Sequence, residues 1–422
     1  MMPIRTALRI MPAAWFVLPV AMFAGWYATL LHSPAGYGTA ATAAASGTIP
    51  FVGAFVGGAA AWEGARLRRS GVWGGPWVRS DVRIAAGAMA GPIAAGLLAI
   101  LVAVVVSLVR VGAFTPDLEI VGVLALDIFT YASLGFALGV LVPSALSVPL
   151  AVLLPFIWLA FVPAMYPVWL RHLTGMYRDC CGIAESLAPR AVVASVAVDL
   201  GVVAAATVAV RVRWPGRRRL LSALAVLTAA SVFGVSAASG MTYAPVVARD
   251  PSLLTCSTNN AVRICLWPEH RDQANLLTPA IRDVVVSWET AGIDSPTSVT
   301  EAWDSQPTGT LSVRLPDQLT KDGVILAMAV GMLPPDPNCG GATTGGIAFA
   351  YLEAWYAAAG GISSASLERL DFPGDDVNPS VLVAVNDLLA APVSVRHSWV
   401  ARAISLSQSC DESTAPDLRV AR

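Results

Sequence analysis

The chain has 422 residues, of which 56% are hydrophobic and only 13% are charged, a composition typical of membrane proteins. The formal net charge of −1 conceals two opposite halves: residues 1–240 carry 16 basic and 8 acidic side chains, whereas residues 241–422 carry 11 basic and 20 acidic ones. An acidic carboxyl-terminal half argues against nucleic acid as a partner, although solubility alone explains such a charge.

Seven apolar segments follow one another through residues 8–238. Each is long enough to cross a hydrocarbon layer of about 30 Å, which takes about 20 helical residues. The sequence therefore predicts a polytopic helical membrane bundle. The predicted spans are Leu8–Leu31, Ala41–Trp62, Ile84–Val109, Leu118–Val142, Leu146–Leu170, Ala191–Val212 and Leu220–Ala238.

The arginines of the membrane half predict the orientation of these spans. Residues 1–240 contain 16 arginines and no lysine, and twelve of the arginines fall on one side of the seven-span pattern. Positive charge is retained in the cytoplasm, so the amino terminus is expected inside and residues 241–422 outside. The four arginines predicted outside are Arg110, Arg171, Arg178 and Arg190.

The last span has a second interpretation. A basic run, an apolar stretch and Val235-Ser236-Ala237 resemble a signal peptide with its small-residue cleavage site, and cleavage there would release the tail. With span seven intact, three regions are expected: a six-span domain over residues 1–212, the seventh span over 213–240, and an extracytoplasmic domain over 241–422.

The tail is expected to be a mixed α/β domain, because short β-type runs alternate with helical periodicity between Gly- and Pro-rich turns. The predicted strands are Ala261–Trp267, Thr297–Trp303 and Thr310–Leu315. The predicted helices are Glu269–Thr290, Asp322–Met332, Thr344–Ala359, Ser380–Ala390 and Val393–Ser409.

The cysteines all lie in segments predicted outside the cell, where disulfides form. Four of them, in the tail, allow three pairings; a local clasp, Cys256–Cys265, and a long-range bridge, Cys339–Cys410, are favoured. Cys180 and Cys181 are adjacent, and a bond between neighbours is strained, so their state stays open.

Several catalytic motifs are absent from the sequence. The only lysine, Lys321, is not in a Gly-x-x-x-x-Gly-Lys-Ser/Thr loop, and no HExxH or Gly-x-Ser-x-Gly stretch occurs. The chain is therefore not expected to be an enzyme, and no metal or cofactor is expected in it. A tail enzyme would require scattered polar residues to converge in space.

Two acids lie inside predicted spans, Asp127 in span four and Asp199 in span six, both about 12–14 Å below the outer surface at about 1.5 Å per residue. Intramembrane carboxylates usually face a bundle interior or a watery cavity. One interpretation is a polar patch along a substrate path. The other is structural, with each acid hydrogen-bonded to a neighbouring Ser, Thr or backbone carbonyl.

Small-residue motifs occur at Gly53–Gly57, Gly87–Gly91 and Gly135–Gly139, and such motifs let helix backbones approach closely. The predicted inner loop, Glu63–Arg83, is the longest cytoplasmic connection. It is interpreted either as a docking surface for a cytoplasmic partner or as a basic stretch lying on anionic lipid.

The layout of residues 1–212 resembles the permease subunits of ABC-2 type (ABCG-like) exporters. The main inner loop lies between spans two and three, where that family has its coupling helix; here this is Trp62-Glu63-Gly64-Ala65-Arg66-Leu67-Arg68-Arg69. The main outer loop, Arg171–Arg190, lies between spans five and six. The resemblance implies a separate ATPase chain, binding ATP and Mg, that docks on Glu63, Arg66, Arg68 and Arg69.

The resemblance also implies two permease subunits, as a homodimer or heterodimer, forming the path in the cell membrane. Two features depart from the six-span pattern, the seventh span and the tail, which look like extensions on some actinobacterial permeases. The expected function is the membrane subunit of an ATP-driven exporter. The alternative is a non-transporting membrane anchor or sensor that presents an extracytoplasmic binding domain.

Overall fold

The computed structural model describes residues 12–71, 81–211, 216–259, 262–303, 308–316, 319–335, 344–369, 377–409 and 418. The chain divides into two compact units, Met1–Val247 and Ala248–Arg422. The division falls a few residues after the boundary predicted at residue 240. The two units are described separately below.

The first unit is a bundle of membrane-spanning helices. Among the described residues, six helical segments are long and apolar enough to cross a bilayer. They are Gly38–Arg69, Val82–Val111, Leu118–Leu141, Ser144–Ala164, Pro189–Ala209 and Gly216–Ala238. A further apolar helix precedes them, Pro12–Ala28, and the predicted start of that span at Leu8 lies outside the described residues.

The helices and strands of the first unit are labelled in chain order. Short 3-10 turns occupy Ser46–Thr48, Val162–Ala164 and Val168–Leu173. A short strand β1, Glu185–Leu187, pairs with β2, Val246–Ala248, at the division of the chain. The helices are α1 Pro12–Ala28, α2 Gly38–Ala45, α3 Ile49–Arg69, α4 Asp81–Val111, α5 Leu118–Leu141, α6 Ser144–Phe161, α7 Pro189–Ala209 and α8 Gly216–Ala238.

Helix α3 continues well beyond the predicted end of span two at Trp62 and stops only at Arg69. Residues 63–69 include Ala, Leu and three Arg, which are good helix formers, so nothing ends the helix at the edge of the apolar stretch. The connection to α4 is therefore shorter than the predicted loop 63–83. It turns at Gly71, whose φ of +69° suits glycine.

Two helix pairs pack with unusually close backbones. In the first, α3 against α5, a Cβ added at Gly135 would overlap the Gly57 carbonyl oxygen, and one at Gly139 would overlap that of Ala61. In the second, α7 against α8, a Cβ added at Gly201 would overlap the Ala230 side chain. The motifs at Gly53–Gly57 and Gly135–Gly139 therefore form one contact.

The two ends of the bundle have different chemistry. At the basic end, Arg68 Nη1 donates to the carbonyl oxygen of Val142, the residue that ends α5, at 2.5 Å. At the loop end lie the 165–188 loop and the last turns of α1, α4 and α8. Because α2 begins at the loop end and six spans follow, α8 also ends there.

The second unit contains a four-stranded sheet in the order β3-β4-β5-β6. The β3–β4 pair is antiparallel, and β4–β5 and β5–β6 are parallel. The strands are β3 Thr255–Asn259, β4 Val262–Leu266, β5 Ser298–Thr300 and β6 Thr310–Ser312, and the helices are α9 Ala274–Ala291, α10 Lys321–Gly331, α11 Thr344–Ala359, α12 Ser364–Leu367, α13 Val377–Ala390 and α14 Val393–Ser407.

This combination confirms the predicted mixture of helices and strands in the tail. The core lies where α9, α10 and α11 meet the sheet, with Trp288 and Trp355 fully buried. Trp288 Nε1 donates to the Tyr356 carbonyl oxygen at 2.8 Å, which ties α9 to α11. The amphipathic pattern of α9 follows this burial: Leu277, Ile281, Val284, Val285 and Trp288 all face inward.

The disulfides agree in part with expectation. Cys256 on β3 and Cys265 on β4 are directly opposite each other and form the predicted local clasp. Cys180 and Cys181, whose state the sequence left open, are bonded to each other. The predicted Cys339–Cys410 bridge lies outside the described residues.

Candidate functional site

The two intramembrane acids come together inside the bundle. Asp127, on α5, has no exposed surface, and Asp199, on α7, is 5% exposed. Their carboxyl groups adjoin, and the Thr130 hydroxyl lies beside that of Asp199. Among the described residues, neither oxygen of Asp127 accepts a hydrogen bond. Both interpretations of the acid pair, the substrate path and the structural hydrogen bonding, stay predictions.

Further buried polar side chains surround this acid pair. The hydroxyls of Tyr177 and Ser195 are 2.6 Å apart, and both residues are buried. The Tyr177 amide donates to Ser46 Oγ at 2.8 Å, in the 3-10 turn that separates α2 from α3. Tyr131, one residue after Thr130, is 4% exposed. The acid pair thus belongs to a polar pocket in an otherwise apolar bundle.

The 165–188 loop enters the bundle and covers the acid pair. Gly175 has a φ of +69°, and a Cβ built on it would lie 2.8 Å from Asp127 Oδ2. Only glycine fits both this backbone conformation and this contact. This approach could not be predicted from the sequence, since a single loop glycine is compatible with an ordinary turn.

The chemistry of the acid pair follows from what surrounds it. A buried carboxylate is costly unless it is paired or hydrogen-bonded. If one carboxyl of the pair is protonated it donates to the other, and if both are ionised a cation, an ammonium group or a substrate hydroxyl would satisfy them. No cluster of three or more His, Cys, Asp or Glu suited to a metal occurs among the residues described.

The predicted coupling residues lie on the last two turns of α3. Glu63 is 1% exposed, and its carboxylate pairs with Arg66 Nη2 at 2.5 Å. Arg68 holds the α5–α6 turn through Val142, and the Arg69 guanidinium lies 5.8 Å from the Trp62 ring centroid. Arg69 is therefore exposed and Arg66 half-buried at this helix end, whereas Glu63 is buried against Arg66.

The four arginines predicted outside the cell have local partners at the loop end. Arg110 Nη1 donates to the carbonyl oxygens of Thr29 and Leu31, after the end of α1. Arg190 donates to those of Ala237 and Ser239, at the end of α8. Cations at helix carboxyl ends satisfy free carbonyls. These arginines therefore have structural roles that explain their position.

The second unit contains a buried polar network that the sequence analysis did not predict. Glu301 Oε1 lies 2.6 Å from His270 Nδ1, and Glu301 Oε2 accepts the Trp267 amide at 2.7 Å. Trp267 and Glu301 follow the parallel strands β4 and β5, so the network joins the ends of these strands. No local pattern links His270 to Glu301, because the two residues are 31 positions apart in the chain.

A cavity of about 340 Å³ opens between α9, α11 and α14 of the second unit. Trp355, Tyr356, Arg396 and His397 contribute to its lining. Trp355 is fully buried, and its Nε1 has no acceptor among the described atoms. The cavity has the size of a small-molecule site, about 300–1,000 Å³.

His172, in the 165–188 loop, makes the stability of the folded chain depend on pH. Burial lowers the pKa of His172, the Arg171 guanidinium lowers it further, and a 2.8 Å hydrogen bond to the Thr242 carbonyl opposes them. The unfolded state then binds a proton more readily, near an ordinary pKa of about 6.5. The stabilisation of the folded state by neutral, buried His172 is therefore fully present above that pH and is lost as the pH falls below it.

We expect His172→Gln to make the melting temperature of the detergent-solubilised chain depend less on pH between about 7 and 5. Thermal unfolding at a series of pH values measures this. His32→Gln, at an exposed side chain, is the matched control and should follow the wild type. If the melting temperature changed equally with pH in the wild type and in His172→Gln, the role of His172 would be contradicted.

Comparison with known proteins gives one match. Residues 264–410 match the family described as "Domain of unknown function (DUF7224)". The match lies within the second unit and includes the sheet from the middle of β4 onward, as well as α9–α14. It covers about a third of the chain and leaves the membrane bundle outside it. No curated protein and no solved structure matches the chain.

Proposed function

We propose that this chain is the membrane subunit of an ATP-driven exporter, energised by a separate ATPase chain. The ATPase, which binds ATP and Mg, docks on the end of α3 at Arg66 and Arg69, with Arg68 and Glu63 holding that helix end in place. Two such subunits, identical or different, form the path. The resemblance of residues 1–212 to ABC-2 type permeases supports this proposal.

The arrangement of the first unit supports the proposed orientation. The arginine-rich end of α3 faces the cytoplasm, since positive charge is retained there. The six candidate spans begin and end at the opposite, loop end, so the chain leaves α8 on the outer side whether or not α1 also crosses. With α1 as the seventh span, the amino terminus is cytoplasmic and the second unit is extracytoplasmic.

The acid pair is the observation that carries the transport proposal. Two adjoining carboxyls buried inside the bundle favour a transport role over a passive anchor, because such residues commonly mark substrate and ion pathways. Asp127 and Asp199 lie on different helices under a loop that enters from the outer side. In the proposal they line the path, and the loop containing Gly175 closes it.

Co-purification tests the proposal. We expect a tagged full-length chain, isolated from its native membrane in mild detergent, to retain an ATP-hydrolysing partner. Arg66→Glu with Arg69→Glu reverses the charge of the docking surface and should reduce recovery about tenfold, since removing charged contacts costs about 1.5–3 kcal/mol. Arg190→Glu, at the loop end, is the control and should retain the partner. Recovery of no ATPase with the wild type would overturn the proposal.

The tail cavity favours a second candidate function, a membrane anchor or sensor with an extracytoplasmic binding domain. The unpartnered Trp355 Nε1 at a cavity of about 340 Å³ is the observation in its favour. In this case the charge reversal at Arg66 and Arg69 leaves function unchanged, whereas filling the tail cavity by Ala401→Trp abolishes it.

A further inference from the structure

A cleft of about 320 Å³ lies at the loop end of the bundle, apart from the acid pair. Its walls come from the end of α1, the start of α3, the end of α6 and the 165–188 loop. This volume is at the lower end of the range for small-molecule sites, about 300–1,000 Å³. Residues contributing to its lining include Tyr27, Phe51, Phe156, Ala160, Ala164 and Arg171.

The charge inside this cleft is not balanced. Arg171 Nη2 donates to Asp179 Oδ2 at 2.6 Å, and Arg178 Nε lies 3.5 Å from the other oxygen of the same carboxylate. Two guanidinium groups therefore share one carboxylate, which leaves one positive charge in excess. The Arg178 side chain is 48% exposed, so water solvates its charge, and the excess positive charge at the cleft attracts an anion.

Arg171 has an unused donor. Its side chain is only 7% exposed, and its Nη1 has no hydrogen-bond acceptor among the described atoms. The Tyr243 ring lies 3.5 Å from the centre of the guanidinium and holds its plane in place. A fixed guanidinium with a free donor matches a phosphate or carboxylate oxygen.

Most of the other residues that line the cleft are apolar, although Arg178 and tyrosines also contribute. Phe51 and Phe156 form part of the wall, with ring centroids 6.0 Å apart. Met165 and Tyr166, which also line the cleft, are 52% and 88% exposed. An ion alone would leave this apolar surface uncovered, whereas an acyl chain would cover it.

We propose that this cleft binds an amphiphile with one anionic head group, a phosphate or carboxylate held by Arg171, whose apolar chain lies along the Phe51–Phe156 wall. The ligand comes from the surrounding lipid phase, because the exposed mouth at Met165 and Tyr166 is at the end of membrane-spanning helices. The site does not rest on the proposed transport function, since binding requires no ATPase.

Binding to the full-length chain in detergent tests the site. The probe is dioctanoyl phosphatidic acid, followed by native mass spectrometry, and the comparison probes are dioctanoyl phosphatidylcholine, dioctanoylglycerol and inorganic phosphate. We expect one phosphatidic acid per chain, bound at least about tenfold more tightly than each comparison probe, since a charged hydrogen bond contributes about 1.5–3 kcal/mol.

Two variants act on different parts of the site. Arg171→Gln removes the donor, and Ala164→Trp fills the mouth while leaving Arg171 intact; each should weaken phosphatidic acid binding about tenfold or more. Arg190→Gln removes a positive charge from the same end of the bundle and should bind as the wild type does. Ala164→Trp keeps the test valid if Arg171→Gln fails to fold.

Three results would overturn the proposal. Equal binding of phosphatidylcholine would show that the head-group charge is not recognised. Equal binding of inorganic phosphate would show a simple anion site with no role for the apolar wall. Unchanged phosphatidic acid binding in Ala164→Trp would place the lipid elsewhere on the bundle.

Discussion

Replacing Gly139 by leucine is expected to lower the stability of the membrane bundle by about 3 kcal/mol or more, because the new side chain has no space. A Cβ at this position would overlap the Ala61 carbonyl oxygen and lie 2.8 Å from the Ala65 amide nitrogen. Both atoms belong to the α3 backbone and cannot turn aside as a side chain would. The helices α3 and α5 would have to separate along their length.

The melting temperature of the full chain in detergent, together with its elution in size-exclusion chromatography, measures this effect. Gly87→Leu on α4 is the matched control, because a Cβ there meets no described atom within 4 Å. It should melt within a few degrees of the wild type, since a helical Gly-to-Leu change at an open position gains up to about 1 kcal/mol. Similar losses in both variants would mean that the close α3–α5 contact is not what Gly139 provides.

Glu301→Ala is expected to destabilise the second unit by about 3–5 kcal/mol, the usual cost of breaking a buried polar pair from one side. The change leaves the Trp267 amide without its acceptor and His270 without the carboxylate 2.6 Å away. Both groups are buried, so water cannot replace Glu301 without opening the ends of β4 and β5.

Pulse proteolysis of the full-length chain in increasing urea reports unfolding of this unit. Glu289→Ala, which removes an exposed carboxylate bonded to Ser295, is the control and should cost less than about 1 kcal/mol. Glu301→Gln retains an acceptor for the Trp267 amide. Its resistance to proteolysis should lie between those of Glu301→Ala and Glu289→Ala. A Glu301→Ala chain as resistant as Glu289→Ala would show that the network contributes little.

Local patterns in the sequence were enough to predict much of the second unit. Helix α11 has the predicted bounds, Thr344–Ala359, and α14 begins at the predicted Val393. Gly360 and Gly361 follow α11, and Pro392 precedes α14, and such residues end or start a helix whatever surrounds it. Strand β3, Thr255–Asn259, was missed because its residues are mainly polar and show no alternation. Its pairing comes from β4 and from the Cys256–Cys265 bond.

Long-range contacts could not be predicted in the same way. Gly87–Gly91 and Gly135–Gly139 have the same spacing, yet Gly135 and Gly139 meet another backbone and Gly87 does not. A Gly-x-x-x-Gly motif shows that a helix could approach another helix closely. Which motifs form such contacts depends on how the whole bundle packs. Likewise, counting residues placed Asp127 and Asp199 at similar depth, but their adjacency depends on how α5 and α7 pack.

The close pairing of α3 with α5, and of α7 with α8, has a consequence for the acids. Asp127 is carried by the first pair and Asp199 by the second, so the two carboxyls lie on opposite sides of the seam between two stiff blocks. Backbones in such close contact resist sliding, so we expect each pair of helices to move as a unit. Any tilt of one block against the other therefore changes the carboxyl separation directly, which makes that separation a gauge of the conformation of the bundle.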